Sequence, residues 1–311
     1  MRKRRTGIIL TVIGVVLVVF GAVWMTIIFP ALDKVPADLK RAVQYQGTLS
    51  VFDSEVYQLV TYDVIVTRSY HAVSCRGDTL YLEEDVSFAD AHTGQEIPLL
   101  HSVGLLAIDR VSRMHVPGHG DKNREGYWSF PRAVKADRNY SLWITENPTT
   151  LEARCVGAED FRGLPVLVYE AATPEGGLAI PAGIFTPEMQ LYQQIKMKVE
   201  PISGVTVYFE NTLKRTSKLP VFDDVFPKTG DMTFTDMIVS ESNMAFTEET
   251  VAQLVHDGKF YRWALPWGKT YGPWLAVGLG IALVALGSIL LARKAGEAPT
   301  VERVQERDEG C

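Results

Sequence analysis

The sequence predicts a mainly β (α+β) protein: an antiparallel, β-rich extracytoplasmic domain carried between an N-terminal and a C-terminal transmembrane helix. Three observations predict it. Two long runs without a charged residue lie near the ends of the 311-residue chain. Between them, segments rich in β-branched and aromatic residues recur about every 8–12 residues, punctuated by Gly, Pro, Asn and Asp, the pattern of short antiparallel strands. Basic residues flank the far end of each run, and Lys and Arg resist translocation.

Residues 1–7 carry Arg2, Lys3, Arg4 and Arg5 and read as a cytoplasmic basic tail. Residues 8–29 (IILTVIGVVLVVFGAVWMTIIF) are long enough to cross a hydrocarbon core about 30 Å thick. Lipid offers the backbone no hydrogen-bond partner, so the run is expected to be a helix. A cleaved signal peptide is the alternative. The run exceeds an ordinary signal core of about 7–15 residues and no A-x-A site follows, so a retained anchor is expected. Residues 272–292 (GPWLAVGLGIALVALGSILLA) form the second span, and residues 293–311, opening on Arg293 and Lys294, a charged cytoplasmic tail. Both termini are thus expected inside, with residues 30–271 outside. Trp24, Trp267, Tyr271 and Trp274 fall near the outer ends of the spans, where amphipathic rings favour the headgroup layer.

Setting aside the basic residues of the two tails and the acidic residues of the last one leaves 23 basic against 32 acidic residues outside, a net charge of −9. Such a surface disfavours nucleic acid as a partner. Within this block, Pro30 and Pro36 mark a linker with a helical turn expected over 37–43. Strands follow on TYDVIVTRSYHAVSC and DTLYLEEDVSFADAHTG, turned by Arg76-Gly77-Asp78. IPLLHSVGLLAID, KADRNYSLWI before the break at Asn147-Pro148, LEARCVG, LPVLVYEAA, and the segments around 196–199 and 205–215 supply the others. Residues 173–188 (TPEGGLAIPAGIFTPE) hold too many Gly and Pro for long regular elements. Thr247-Glu248-Glu249-Thr250 opens an amphipathic helix with Val251, Leu254 and Val255 on one face, expected to end near Gly258. The carboxylates Glu83, Glu84 and Asp85 read as solvated surface.

Chemistry is sparse. Cys75 and Cys155 both lie in the outer block, and an oxidising space suggests one disulfide between them, with two separate buried thiols as the alternative. Cys311 reads as a solvated terminal thiol. His115 and His119 stand four apart and are weak candidates for metal. Pro117, Gly118 and Gly120 interrupt the helix such a pair needs, so two solvated loop histidines are expected. No nucleophile-elbow, Ser-x-x-Lys, His-Glu-x-x-His or phosphate-loop motif occurs. Neither catalysis nor a cofactor is expected. Asp109, Arg110, Arg124, Trp128, Phe130 and Pro131 form the most pointed cluster, read as a structural ion pair fixing a long connection, with ligand recognition as the alternative.

The run AIDRVSR, then GYWSFP, then NYSLWI, with GLPVLVYEA and KVEPISGVTV further on, resembles the PorA-type porin family, a domain-of-unknown-function family best represented in actinobacterial envelopes. The likeness extends to the order of basic start, span, proline-marked linker, β-rich block and closing span. Trp143 is followed by Ile144 where that pattern has Asp. The resemblance implies a porin, whereas an outer-membrane barrel crosses with strands and not helices. Neither span holds the charged residue that usually marks an ion route. Gly14, Gly21, Gly278, Gly280 and Gly287 instead suit close packing of the two helices.

The function expected is therefore that of a two-span cell-envelope protein with a non-catalytic binding or structural domain. A membrane-tethered carrier of apolar ligands such as lipid is the alternative, by a layout shared with scavenger receptors of the CD36 kind. An apolar tunnel would favour the carrier and a solid core would count against it. An oligomeric channel comes third. The expected partners are the bilayer itself, a lipid or envelope component, and further copies of the chain.

Overall fold

A computed structural model describes residues 2–53, 58–144, 149–180, 189–220 and 234–295. The break at Asn147-Pro148, half of the Gly/Pro-rich passage and Cys311 lie outside them. Two compact units divide the chain: Lys34–Leu265, and Met1–Asp33 together with Pro266–Cys311.

The first unit is built on β1 (Lys40–Asp53), β2 (Gln58–Arg76), β3 (Thr79–Asp90), β4 (Ser102–Asp109), β5 (Tyr140–Trp143), β6 (Thr150–Asp160), β7 (Pro165–Ala172), β8 (Leu178–Ile180), β9 (Met189–Val199), β10 (Thr206–Pro220) and β11 (Phe234–Phe246). They form one sheet in the order β4-β3-β2-β1-β11-β10-β9-β7-β6-β5, with β8 beside β9. Every strand pair is antiparallel. Turn chemistry sets the hairpins. Between β6 and β7, Phe161 and Leu164 exchange backbone hydrogen bonds across Arg162 (φ 56°) and Gly163 (φ 75°), the double positive φ of a type I′ turn. Arg76-Gly77-Asp78 is the turn between β2 and β3, as its sequence predicts.

The expected helical turn over 37–43 does not form. Leu39 O accepts from Ala72 N, and β1 starts at Lys40, because β2 offers its backbone a ladder from His71 onward.

The edge strands do not stay open. The connection after β4 doubles back so that His115 pairs with Ile108, Met114 with Tyr127, and Tyr127 in turn with Leu142 of β5. Backbone bonds Val116 N→Ala107 O, His115 N→Gly126 O and Trp143 N→Tyr127 O complete these rungs. The ladder therefore returns on itself, which removes the exposed edges that invite aggregation.

Alternation gives the closed sheet its inside. In β3 the even positions Leu80, Leu82, Glu84 and Val86 are buried, and in β9 the odd positions Leu191 to Val199. Helix α3 (Glu248–Pro266) lays Val251, Leu254 and Val255 on Val43, Leu164, Val166, Val207 and Phe246. Thr247 Oγ1 accepts from Thr250 N, capping its start. The Glu200 carboxylate, fully buried, accepts from Ser203 N (2.7 Å) and from the Arg262 guanidinium (2.9 Å), tying α3 to the turn after β9. The helix does not end near Gly258. A side chain there would stand 2.9 Å from Leu164 Cδ2, so this glycine serves close approach, not termination.

The second unit pairs α1 (Arg2–Val23) with α4 (Gly272–Ala295). A π-helical turn (Trp24–Ile28) leads from α1 into the short α2 (Phe29–Leu32), and another (Trp267–Tyr271) precedes α4. The helical runs Arg5–Leu32 and Glu248–Ala292 are each long and apolar enough to cross a membrane. A methyl group added at Gly14 would lie 2.5 Å from Gly280 O, and one at Gly7 3.1 Å from Gly287 O. Gly21 would meet Pro273 O at 3.1 Å. Glycines seven apart on α1 thus bring the helix backbones together. Trp24 Nε1 donates to Gly268 O (2.8 Å).

A candidate ligand-binding cavity inside the sheet

Strand β2 presents Val64, Val66, Arg68, Tyr70 and Ala72 along one row, and β3 presents Leu80, Leu82, Glu84, Val86 and Phe88. Register sets Tyr70 directly opposite Glu84 and Arg68 opposite Val86. A guanidinium and a carboxylate therefore occupy positions where the alternation asks for apolar side chains. Arg68 Nε lies 3.7 Å from Glu84 Oε1, with the two side chains 14% and 4% exposed. Arg68 also lies over the Tyr45 ring, 5.7 Å from its centroid. Burial pushes the Tyr70 hydroxyl well above its ordinary pKa, Arg68 opposing and Glu84 reinforcing the shift. Taking charges out of water is costly unless they compensate one another, and this pair does.

Two cavities share Tyr45, Arg68 and Phe209. One, of about 140 Å³, is lined by these and by Tyr70, Glu84, His115, Trp128, Phe130 and Trp143 among others. The second, of about 200 Å³, runs along Leu49, Val66, Val86, Phe88, Leu213 and Met244, with Asn211, Arg215 and Ser242 as its polar contacts. Polar groups at one side of an apolar compartment are the usual make-up of a small-molecule site. Behind Asn211, the Gln193 amide donates to its Oδ1 (2.9 Å), a buried pair on the same face of the sheet.

The connection singled out in the sequence supplies one wall, although its residues do not act as one cluster. Asp109 and Arg110 do not pair with each other. The Asp109 carboxylate accepts from Val111 N, Ser112 N and Ser112 Oγ, fixing the turn after β4. Burial alone would raise its pKa, and these hydrogen bonds bring it below the ordinary range. Arg110 Nε donates to Val35 O (2.5 Å). Arg124, only 4% exposed, binds Asp121 (2.5 Å) and Leu105 O (3.2 Å) beside Gly104. Trp128 meets Tyr70 edge-on at 5.3 Å, and Phe130 packs on Tyr140 and Tyr169. Pro131 O sits where a side chain on Gly204 (φ 72°) would be. The ion pair expected within that cluster is thus replaced: Arg124 pairs with Asp121, a residue the sequence does not single out.

Three expectations are corrected. His115 is not a solvated loop residue. It is 6% exposed, edge-on to Trp143, and its Nδ1 has no hydrogen-bond partner. Burial, helped by Arg124, lowers its pKa to about 4, so the ring is neutral near pH 7. His119 is the exposed one and bonds the Tyr81 hydroxyl (2.9 Å). Among the described residues no three His, Cys, Asp or Glu side chains gather as metal ligands.

Glu84 is likewise inside, because a strand sends alternate side chains to opposite faces, whereas Glu83 and Asp85 pair outside with His71 and His101. The Cys75–Cys155 disulfide is not formed. Both are free thiols, Cys75 donating to Gly77 O and Cys155 to Gly157 O, each held at its own hairpin or bulge.

Of the expected interface residues, Trp24 is engaged by Gly268 O, while Trp267, Tyr271 and Trp274 are exposed and border a shared apolar groove with Leu275 and Leu279. Arg2, Lys3, Arg4, Arg293 and Lys294 lie on helical backbone, their side chains outside the described set. Arg68, Glu84 and Tyr45 were missed from sequence. The signal was available as a charge in the apolar register of each strand.

Comparison with known protein families gives a match over residues 6–289, to the family described as Porin PorA. No curated protein matches the chain.

Proposed function

The chain belongs to the PorA porin family, and from that premise we propose that it is a two-span cell-envelope protein whose β unit holds an apolar ligand, such as a lipid, without transforming it. The observation that carries this reading is the pair of cavities meeting at Arg68: the inner face of the sheet is not a solid core. The absence of nucleophile, phosphate-loop and metalloprotease motifs from the sequence supports a non-catalytic role. The basic flanks support cytoplasmic termini and an extracytoplasmic β unit.

Purified full-length protein in nanodiscs, analysed by native mass spectrometry, is expected to retain lipid at about one per chain. Leu213→Trp and Met244→Trp, which fill the apolar compartment, are expected to abolish that retention. Retention unchanged by both variants, or no retention in the parent protein, defeats the reading. Terminal reporter fusions are expected to score as cytoplasmic, and an outside signal from either one would reverse the orientation.

The family description favours a second reading, a channel formed by several copies. Planar-bilayer recording separates the two: conductance steps from the pure protein support the channel, and a silent bilayer supports the carrier.

A further inference from the structure

The cavity's polar side reveals which head group it suits. At the smaller cavity Arg68 is matched by Glu84, and Arg124 close by is matched by Asp121; Arg215 lies in the lining of the other cavity, bonded to Ser240 Oγ (3.4 Å). His115, at the smaller cavity, adds no charge near neutral pH. The lining of the smaller cavity, against which the head would sit, is therefore charge-balanced before any ligand arrives. A fatty-acid carboxylate or a phosphate would bring an uncompensated negative charge into a partly buried site, where water screens it less than at the surface.

The second observation is an unmet hydrogen bond. His115 lines the smaller cavity, and its Nδ1 is buried without a hydrogen-bond partner. A neutral imidazole nitrogen either accepts or donates depending on its tautomer, and buried polar atoms left unpaired are rare and costly. A hydroxyl satisfies either tautomer, since it both donates and accepts. A carboxylate can only accept, and an ester cannot donate.

We propose that the cavity takes an uncharged, hydroxyl-bearing amphiphile, its head against His115 and the Arg68–Glu84 pair and its chain along Val66, Val86, Phe88, Leu213 and Met244. This rests on the apolar-ligand reading above and narrows its ligand class. Glu84 is the specificity-determining residue: it cancels Arg68 and so rejects acids.

The test uses full-length protein in nanodiscs with three probes of one chain length: a 1-monoacylglycerol, the free fatty acid and its methyl ester. All are offered at equal concentration at pH 7.4, and bound mass is read by native mass spectrometry. The monoacylglycerol is expected to occupy the protein at least tenfold more than either competitor. Glu84→Gln leaves Arg68 uncancelled and is expected to turn the preference toward the fatty acid. His115→Phe is expected to bring the monoacylglycerol down to the level of the methyl ester. Equal or greater binding of the fatty acid by the unaltered protein overturns the head-group inference while leaving the carrier reading in place. No binding of any probe overturns both. The comparison in the unaltered protein decides the matter even if a variant fails to fold.

Discussion

At Arg68 a guanidinium stands in a row that alternation otherwise fills with Val64, Val66 and Tyr70. The charge was visible in the sequence, but its partner was not, because Glu84 reaches it only through the β2–β3 register. Removing one member of a buried pair leaves the other uncompensated, a cost of roughly 3–5 kcal/mol. Arg68→Met and Glu84→Leu are each expected to lower the melting temperature of the full-length protein sharply. The double variant is expected to recover much of the loss, as followed by thermal unfolding in detergent. Two independent and additive losses would show that the residues do not act as a pair. His115 gives a pH signature. Its pKa is about 4 folded against 6.5 for the free side chain, so the unfolded chain binds more protons between those values. Stability is therefore expected to be full above pH 6.5 and to fall as pH drops toward 4, by on the order of 3 kcal/mol. His115→Phe is expected to flatten melting temperature against pH across that window, and an unchanged slope would assign it to other groups.

The helices show how far element-level reading reaches. Two uncharged runs sufficed to foresee both spans, and the glycines at 14, 21, 280 and 287 to foresee their close packing, whereas Gly278, expected to do the same, faces open space. What the sequence did not show was that Gly258 continues a helix, since the same residue type ends helices when it adopts positive φ and packs against neighbours when it does not. Here Leu164 Cδ2 fills the space its side chain would need. Gly258→Val is expected to destabilise the β unit by about 1–3 kcal/mol through overpacking. In the other unit, Gly14→Leu is expected to lower the unfolding midpoint, because its first carbon would already crowd Gly280 O at 2.5 Å. Gly278→Leu is the control: nothing lies within 4 Å of that position. Equal effects from both leucines would mean that close approach of the helices does not govern stability. Strand positions were legible from β-branched and aromatic alternation. Strand β1 opens where the prolines of the linker predict a helical turn, because cross-strand pairing to β2 prevails there.

Over the whole molecule, the long connection between β4 and β5 has a role that composition obscured. Its glycines and histidines suggested a mobile surface loop or a metal site, yet it supplies the rungs that join the sheet's two edges and a wall of the cavity. The thiols make a check on the same scale. In a Cys311→Ser background without reductant, Cys75 and Cys155 are both expected to react with a maleimide in unfolded protein, giving two labels per chain. Zero labels would restore the disulfide. By itself the sequence determined the quantities that neighbouring residues fix: two spans from uninterrupted apolar runs, strands from alternation, turns from Gly and Asp, and the family from short motifs. Only the tertiary structure decided that Glu84 is inside, that His115 is buried and neutral, that the two cysteines stay apart, and that the sheet closes around a cavity. Each of those depends on which distant residues are brought face to face, and that is set by strand register and closure across the whole unit.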